Sequence, residues 1–129
     1  MEQEGLKFYR CNSCGNLLLS IVDPFVIPSC CGSSMEILEA NSKYEAAEKH
    51  VPIIEDDGNC ITVKVGIQPH PMSTEHQIEW IALADDNRVE IQKLSLTQDP
   101  VAKFSKMGSD GKLRAYSFCN IHGLWSSEK

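Results

Sequence analysis

The chain has no run of about 18 apolar residues, so nothing in it reads as a membrane span. It has no block of lysines or arginines either: 12 basic residues are scattered among 18 acidic ones, leaving a net charge of −6. Neutralising a phosphate backbone takes clustered cations, which argues against nucleic acid as a partner. The first residues, Met1-Glu2-Gln3-Glu4-Gly5, lack the basic flank and apolar stretch of a signal peptide, so the protein is expected in the cytoplasm. No helical period of any length and no internal repeat is visible. Histidine is scarce: His50, His70, His76 and His122 are the whole supply.

What is present suffices for a core. Apolar residues make up 42% of 129, room for one ordinary domain or a small one plus a compact one. Six cysteines without a secretion signal read as metal ligands rather than disulfides.

Residues 6–39 stand apart. Lys7–Arg10 reads as a short strand entering Cys11-Asn12-Ser13-Cys14-Gly15. Leu17–Val22 is a second apolar run, Asp23-Pro24 a turn, Pro28-Ser29-Cys30-Cys31-Gly32 a second knuckle and Met35–Leu38 a final strand. A segment of this length cannot bury enough surface to fold alone, so a metal or a partner is required. Residues 40–47 read as a linker.

Beyond it the pattern is β. Ile61, Val63, Val65 and Ile67 alternate with Thr62, Lys64 and Gly66, the period of a half-buried strand. Asp56-Asp57-Gly58-Asn59 turns this strand back on Val51–Ile54. His76–Leu83 and Arg88–Leu96 flank Asp85-Asp86-Asn87 as a second hairpin. Val101–Phe104 and Leu113–Phe118, around Gly108-Ser109-Asp110-Gly111, predict a third. Six or seven short strands with polar turns predict a compact antiparallel sandwich.

Two sets of residues carry chemistry. Cys11-x-x-Cys14 and the adjacent Cys30-Cys31 form a four-thiolate set of the kind that holds zinc or iron tetrahedrally, and spacing alone does not separate the two metals. A pair of disulfides and a purely structural zinc knuckle are the competing readings. The second set centres on Cys119-Asn120-Ile121-His122-Gly123-Leu124-Trp125, with a thiol and an imidazole three residues apart. Four imidazoles and one sulfur overfill the tetrahedron zinc prefers and point to a redox iron with one open position.

The Cys-x-x-Cys-Gly and Cys-Cys-Gly arrangement resembles desulforedoxin, a small rubredoxin-like iron protein. The segments Glu48-Lys49-His50-Val51-Pro52, His70-Pro71-Met72, Glu75-His76, Ile78-Glu79-Trp80-Ile81 and Cys119–Trp125 resemble, in order and spacing, the desulfoferrodoxin family of two-iron superoxide reductases. The likeness covers nearly the whole chain. It implies an all-β protein, with a desulforedoxin/rubredoxin-like metal knuckle over residues 1–39 and an antiparallel immunoglobulin-like β-sandwich over 40–129.

The resemblance also implies two irons per chain. Cys11, Cys14, Cys30 and Cys31 would hold the first. His50, His70, His76 and His122 would be equatorial ligands of the second, with Cys119 as its axial thiolate. Glu48 would take the sixth position in the ferric state and Lys49 would sit beside the open one, giving these two the catalytic roles. The implied reaction is one-electron reduction of superoxide to hydrogen peroxide, with re-reduction by a donor such as rubredoxin, in a homodimer.

Two departures stand out. Asp23-Pro24-Phe25-Val26-Ile27-Pro28 replaces the glycine-rich turn common before the cysteine pair, and Ser95–Arg114 matches no role. Trp80 and Trp125 read as packing residues and Cys60 as an incidental free thiol. Two other classes, a pure electron-transfer protein and a zinc-knuckle binding module, fit the chain less well. An open metal position speaks against the first, the acidic balance and the histidine set against the second.

Overall fold

The structure is a computed structural model describing residues 6–22, 26–41, 47–67, 70–106 and 112–129; for residues 47 and 48 it describes backbone alone. The chain divides into two compact units, Met1–Glu39 and Ala40–Lys129. The expected turn at Asp23-Pro24, most of the expected linker and the turn at Gly108–Gly111 lie outside the described residues.

In the first unit, β1 (Lys7–Arg10) pairs antiparallel with β2 (Leu17–Ser20) and with β5 (Glu36–Ile37), in the order β2-β1-β5. The loop between β1 and β2 is closed by Gly15 N–H donating to the Cys11 carbonyl and Cys11 N–H to that of Asn16, both at 2.8 Å. β3 (Ser29–Cys30) and β4 (Ser33–Ser34) form a miniature hairpin whose two-residue loop is Cys31-Gly32. Both loop residues have positive φ, 54° and 80°, the signature of a tight hairpin turn in which glycine ordinarily sits. The adjacent cysteine pair is therefore built by a turn: Cys30 ends a strand and Cys31 opens the loop. Tyr9, Cys11 and Met35 are buried together with Cys30 packed on them, a core about as large as so short a segment can make.

The second unit is the expected antiparallel sandwich, preceded by one helical turn, α1 (Ala47–His50). One sheet has the order β10-β7-β6, with β6 spanning Pro52–Asp56, β7 Cys60–Val65 and β10 Val101–Ser105. The other has the order β12-β11-β8-β9, with β8 spanning Ile78–Ala84, β9 Val89–Lys93, β11 Arg114–Cys119 and β12 Gly123–Glu128. Along β7 the alternation is realised as far as Val65: Ile61, Val63 and Val65 are buried while Lys64 is exposed, but the strand ends there and Ile67, expected to continue it, is exposed. The three buried residues meet Ile78, Ile81, Leu83, Ala102, Phe104 and Ala115 in one core, and Cys119 belongs to it. Asp57 and Asp85 set the two short turns, each with a carboxylate oxygen accepting two backbone N–H groups at 2.8 Å.

The third expected hairpin is not there. β10 pairs with β7, from Val101 opposite Lys64 to Ser105 opposite Cys60, whereas β11 pairs with β8 and β12 in the other sheet. The chain between β10 and β11 crosses from sheet to sheet instead of turning back. The apolar alternation of both segments is the same in either arrangement, so only the choice of partner distinguishes them. Among the described residues no helix is long and apolar enough to cross a membrane.

Candidate metal centres

The four cysteines of the first unit converge. Their sulfurs all lie within 4.8 Å of one another, with Cys14 Sγ 3.7 Å from Cys30 Sγ and Cys30 Sγ 4.0 Å from Cys31 Sγ. All four are free thiols, so the disulfide alternative is absent. A regular tetrahedron with metal–sulfur bonds of about 2.3 Å has edges of about 3.8 Å, which these separations bracket. The N–H groups of Cys14, above all, and Ser13 pull the Cys11 thiol down to about 6, whereas neighbouring sulfurs push Cys31 up to about 12. Four thiolates so close repel one another unless a cation is shared between them, and the set fits such a cation.

The second centre draws on both sheets. His50 ends α1 just before β6, His70 and His76 lie in the segment leading to β8, Cys119 ends β11, and His122 closes the turn to β12. That turn explains the Cys-x-x-His-Gly spacing. Cys119 pairs across from Gly123, leaving the three-residue loop 120–122, and Gly123 has the positive φ of 84° that such a loop needs on its closing residue. The result sets Cys119 Sγ 3.7 Å from His122 Nδ1. A β-bulge acts on the other side. Phe118 opposes Trp80 but Cys119 opposes Ile78, so Glu79 is extra and the register shifts at Cys119, the usual device for re-aiming one side chain.

The imidazoles form a closed ring. Neighbouring centroids are 4.4 Å (His50–His70), 4.6 Å (His70–His76), 5.1 Å (His76–His122) and 4.7 Å (His122–His50), each pair edge to face. His50 and His76 are 6.2 Å apart, longer than any side, as the diagonal of a square is. Cys119 Sγ reaches His70 Nε2 at 3.4 Å and His122 Nδ1 at 3.7 Å, two opposite corners, as an atom on the axis of the square would. Cys119 has no exposed surface, and His50 and His70 are buried, while His76 and His122 are partly open and Lys49 is exposed. One face of the ring is thus sealed by sulfur, and solvent approaches from the side of His76, His122 and Lys49.

A cation fits the ring. His70 Nδ1 donates to the Pro71 carbonyl at 2.6 Å, leaving Nε2 unprotonated and 2.8 Å from His50 Nε2, which lies 3.1 Å from His122 Nδ1. Metal–nitrogen bonds of about 2.0–2.1 Å at right angles place neighbouring nitrogens about 3 Å apart. His76 Nε2 is buried with no hydrogen-bond partner among the described residues, an orphan that a metal would satisfy. Burial lowers His70 to about 4 and lowers His76 as well, the latter with further contributions from His122 and the Lys49 charge, so both rings stay neutral and able to donate. Burial pushes the Cys119 thiol up, while N–H groups of His122 and Ile121 aimed at its sulfur work the other way. The donor set, nitrogen-rich with one sulfur, is consistent with iron.

Nine of the ten expected ligands are therefore brought together in two clusters. Lys49 stands beside the second; the side chain of Glu48 lies outside the described residues. Cys60 belongs to neither cluster and points its sulfur at Asp57 Oδ2, 3.7 Å away. Trp80 stacks on Phe118, as expected of a packing residue, and Trp125 stacks on His50 at 5.1 Å, packing against the ring itself. Three supporting residues were not singled out from the sequence. Ser117 Oγ donates to the His50 carbonyl at 2.9 Å, Asn120 bonds on both sides of His76, and a Cβ on Gly66 would come within 2.6 Å of the Lys49 backbone. Only Asn120, lying inside the cysteine–histidine motif, had a sequence signal.

The desulfoferrodoxin family model matches residues 42–128. A desulfoferrodoxin homolog of Archaeoglobus fulgidus is 42% identical over 124 residues, 96% of this chain and 98% of that one. The crystal structure of the superoxide reductase from Treponema pallidum superposes with a TM-score of 0.79 at 31% identity, covering 95% of this chain and 97% of that one. The one-iron superoxide reductase of Giardia intestinalis gives a TM-score of 0.56 at 29% identity, covering 64% of this chain and 97% of its own. Family match, near-complete relatives and the two convergent donor sets agree, and the chain belongs to the desulfoferrodoxin family.

Proposed function

We propose that the protein is a superoxide reductase, converting superoxide, one electron and two protons to hydrogen peroxide. The single observation that carries this is the square of four imidazoles with the buried Cys119 sulfur on its axis and two of its rings, His76 and His122, partly exposed. Similarity to proteins named superoxide reductase from Treponema pallidum and Giardia intestinalis supports it.

His50, His70, His76, His122 and Cys119 would hold one iron, and Cys11, Cys14, Cys30 and Cys31 a second. Iron in the histidine set would supply one electron per turnover and a vacant position. The remaining work belongs to the chain. A net charge of −6 repels an anionic substrate, so attraction has to be local, and the Lys49 ammonium beside His76 provides it. The buried Cys119 side denies the substrate a second approach. The half-open rings of His76 and His122 leave water in reach on the substrate side, where it delivers the two protons. Glu48, next to Lys49, would serve as a further ligand of that iron in its ferric state.

The four-cysteine set has no vacancy and serves electron passage, with rubredoxin as the class of donor. A homodimer is supported by the small core of the first unit and by its exposed Ile21, Val22, Val26 and Ile27. Five thiols needed as reduced ligands favour the cytoplasm, where the enzyme would detoxify superoxide under oxidative stress. The test is the yield of peroxide from superoxide added to the pre-reduced, iron-loaded protein. One peroxide per superoxide consumed is expected. Half that yield with release of oxygen, the mark of dismutation, or no consumption at all would overturn the reading, and metal analysis should find two irons per chain.

A further inference from the structure

Asn120 lies between Cys119 and His122, and its side chain is spent entirely on the segment that carries His76. Its Oδ1 accepts the Gln77 N–H at 2.9 Å and its Nδ2 donates to the Glu75 carbonyl at 2.9 Å, so both neighbours of His76 are held by one amide. The backbone adds a third link, Asn120 N–H to the Gln77 carbonyl at 3.2 Å. The segment also holds itself in shape from within: Ser73 N–H donates to the His76 carbonyl at 2.9 Å, and His76 N–H to Ser73 Oγ at 3.1 Å. That local turn shapes residues 73–76 but does not fix where they stand. Among the described residues, the Asn120 amide is the side chain that ties them to the cysteine–histidine turn.

From this we infer that Asn120 is a positioning residue of the histidine–cysteine centre: it locks the corner occupied by His76 to the sulfur axis of Cys119. The chemistry requires an amide. Oδ1 accepts while Nδ2 donates, two roles on two separate atoms, which neither an ionised carboxylate nor a methyl can fill. His76 needs this most, because its ring is partly open and its Nε2 has no hydrogen-bond partner among the described residues. With the clasp gone, His76 moves away from the ring while His50, His70 and His122 stay, and the metal loses one equatorial nitrogen. Groups that orient ligands in this way are commonly worth roughly 10- to 100-fold in metal affinity.

The inference rests on reading the second centre as an iron site, and its test reads metal retention and colour, not turnover. Asn120→Ala and Asn120→Asp are prepared as iron-loaded full-length protein and challenged with a chelator, following the absorption of each centre. Asn120→Ala should release iron from the histidine centre at least about tenfold faster than the parent, and its ferric thiolate band should shift. Asn120→Asp keeps the bond from Gln77 N–H but faces the Glu75 carbonyl with an oxygen, so it should fall between the two. The four-cysteine colour should be unchanged in both. Release rates and bands equal to the parent's in both variants would overturn the inference. If the alanine variant fails to fold, the aspartate variant decides alone, and a parental release rate there overturns it as well. A parent that holds no iron in this centre would instead sink the iron reading itself.

Discussion

Ser117 Oγ donates to the His50 carbonyl at 2.9 Å, both residues buried. Ser117 sits on β11 of the four-stranded sheet, whereas His50 precedes β6 of the three-stranded one, so this bond helps join the two sheets where the histidine ring is assembled. Withdrawing a donor from a buried acceptor costs about 1–3 kcal/mol. Ser117→Ala should therefore lower the melting temperature, by about 4–8 °C per kcal/mol for a unit of this size. It should also weaken iron retention in the histidine centre before the fold is lost. Thermal melts of loaded and metal-free protein check this; identical melts for variant and parent would refute it.

Lys49 offers the substrate an ammonium on the open side of the ring. Lys49→Ala should slow the second-order reaction with superoxide by roughly tenfold or more and flatten its ionic-strength dependence. Glu48→Ala should leave that encounter fast and alter only the ferric resting spectrum. Gly66→Ala should mimic the lysine variant in part, because its Cβ would strike the Lys49 carbonyl carbon at 2.6 Å and its φ of +83° disfavours any side chain. Pulse radiolysis across a salt series distinguishes the three, and equal behaviour of the lysine and glutamate variants would show the separate roles to be wrong.

The two centres should be separable. Cys119→Ser substitutes a harder, weaker donor and should abolish superoxide reduction while the four-cysteine colour persists. Cys14→Ser should do the reverse, spoiling that colour and loosening the proposed dimer while the pre-reduced histidine centre reacts at nearly the parental rate. A collapsed rate in Cys14→Ser with the second centre fully loaded would contradict this division.

Burial holds His70 from its ordinary 6.5 down to about 4 in the folded chain. Above pH 6.5 the ring is neutral both folded and unfolded, and nothing is lost. As pH falls below that value the unfolded chain takes up a proton that the folded ring refuses, so stability declines down to about pH 4. His76, lowered by burial, acts in the same sense. Denaturant midpoints of the metal-free protein should fall between pH 7.5 and 4.5, a range chosen to span about this window. A flat profile would show that these rings are not buried in the metal-free chain.

The metal ligands were legible because their chemistry is scarce. All four histidines meet in one ring, and the two cysteine pairs meet in one cluster. Strand β7 was legible for another reason: a period of two survives in any sheet with one buried face, and Ile61, Val63 and Val65 announce it. Partner choice is different. Val101–Ser105 carries the same alternation whether it pairs with β11 or with β7, and the energy that selects β7 comes from Phe104 and Ala102 filling a core that no local window contains. The supporting bonds are non-local too. Ser117 meets His50 and Asn120 meets Gln77 only because β11 lies beside β8 and under the end of α1.

The chain's own order of residues thus settled which atoms are able to bind a metal, since donor softness and count are properties of side chains. It also settled that the turn at 120–122 sets Cys119 against His122, because a three-residue loop closed by glycine is local. Folding decided the remainder. It chose which face is sealed, through the bulge that turns Cys119 into the core. It also decided where Lys49 stands, through the absence of a side chain at Gly66. Each of these depends on groups distant in the chain coming within bonding or contact distance, which only the packed sandwich can arrange.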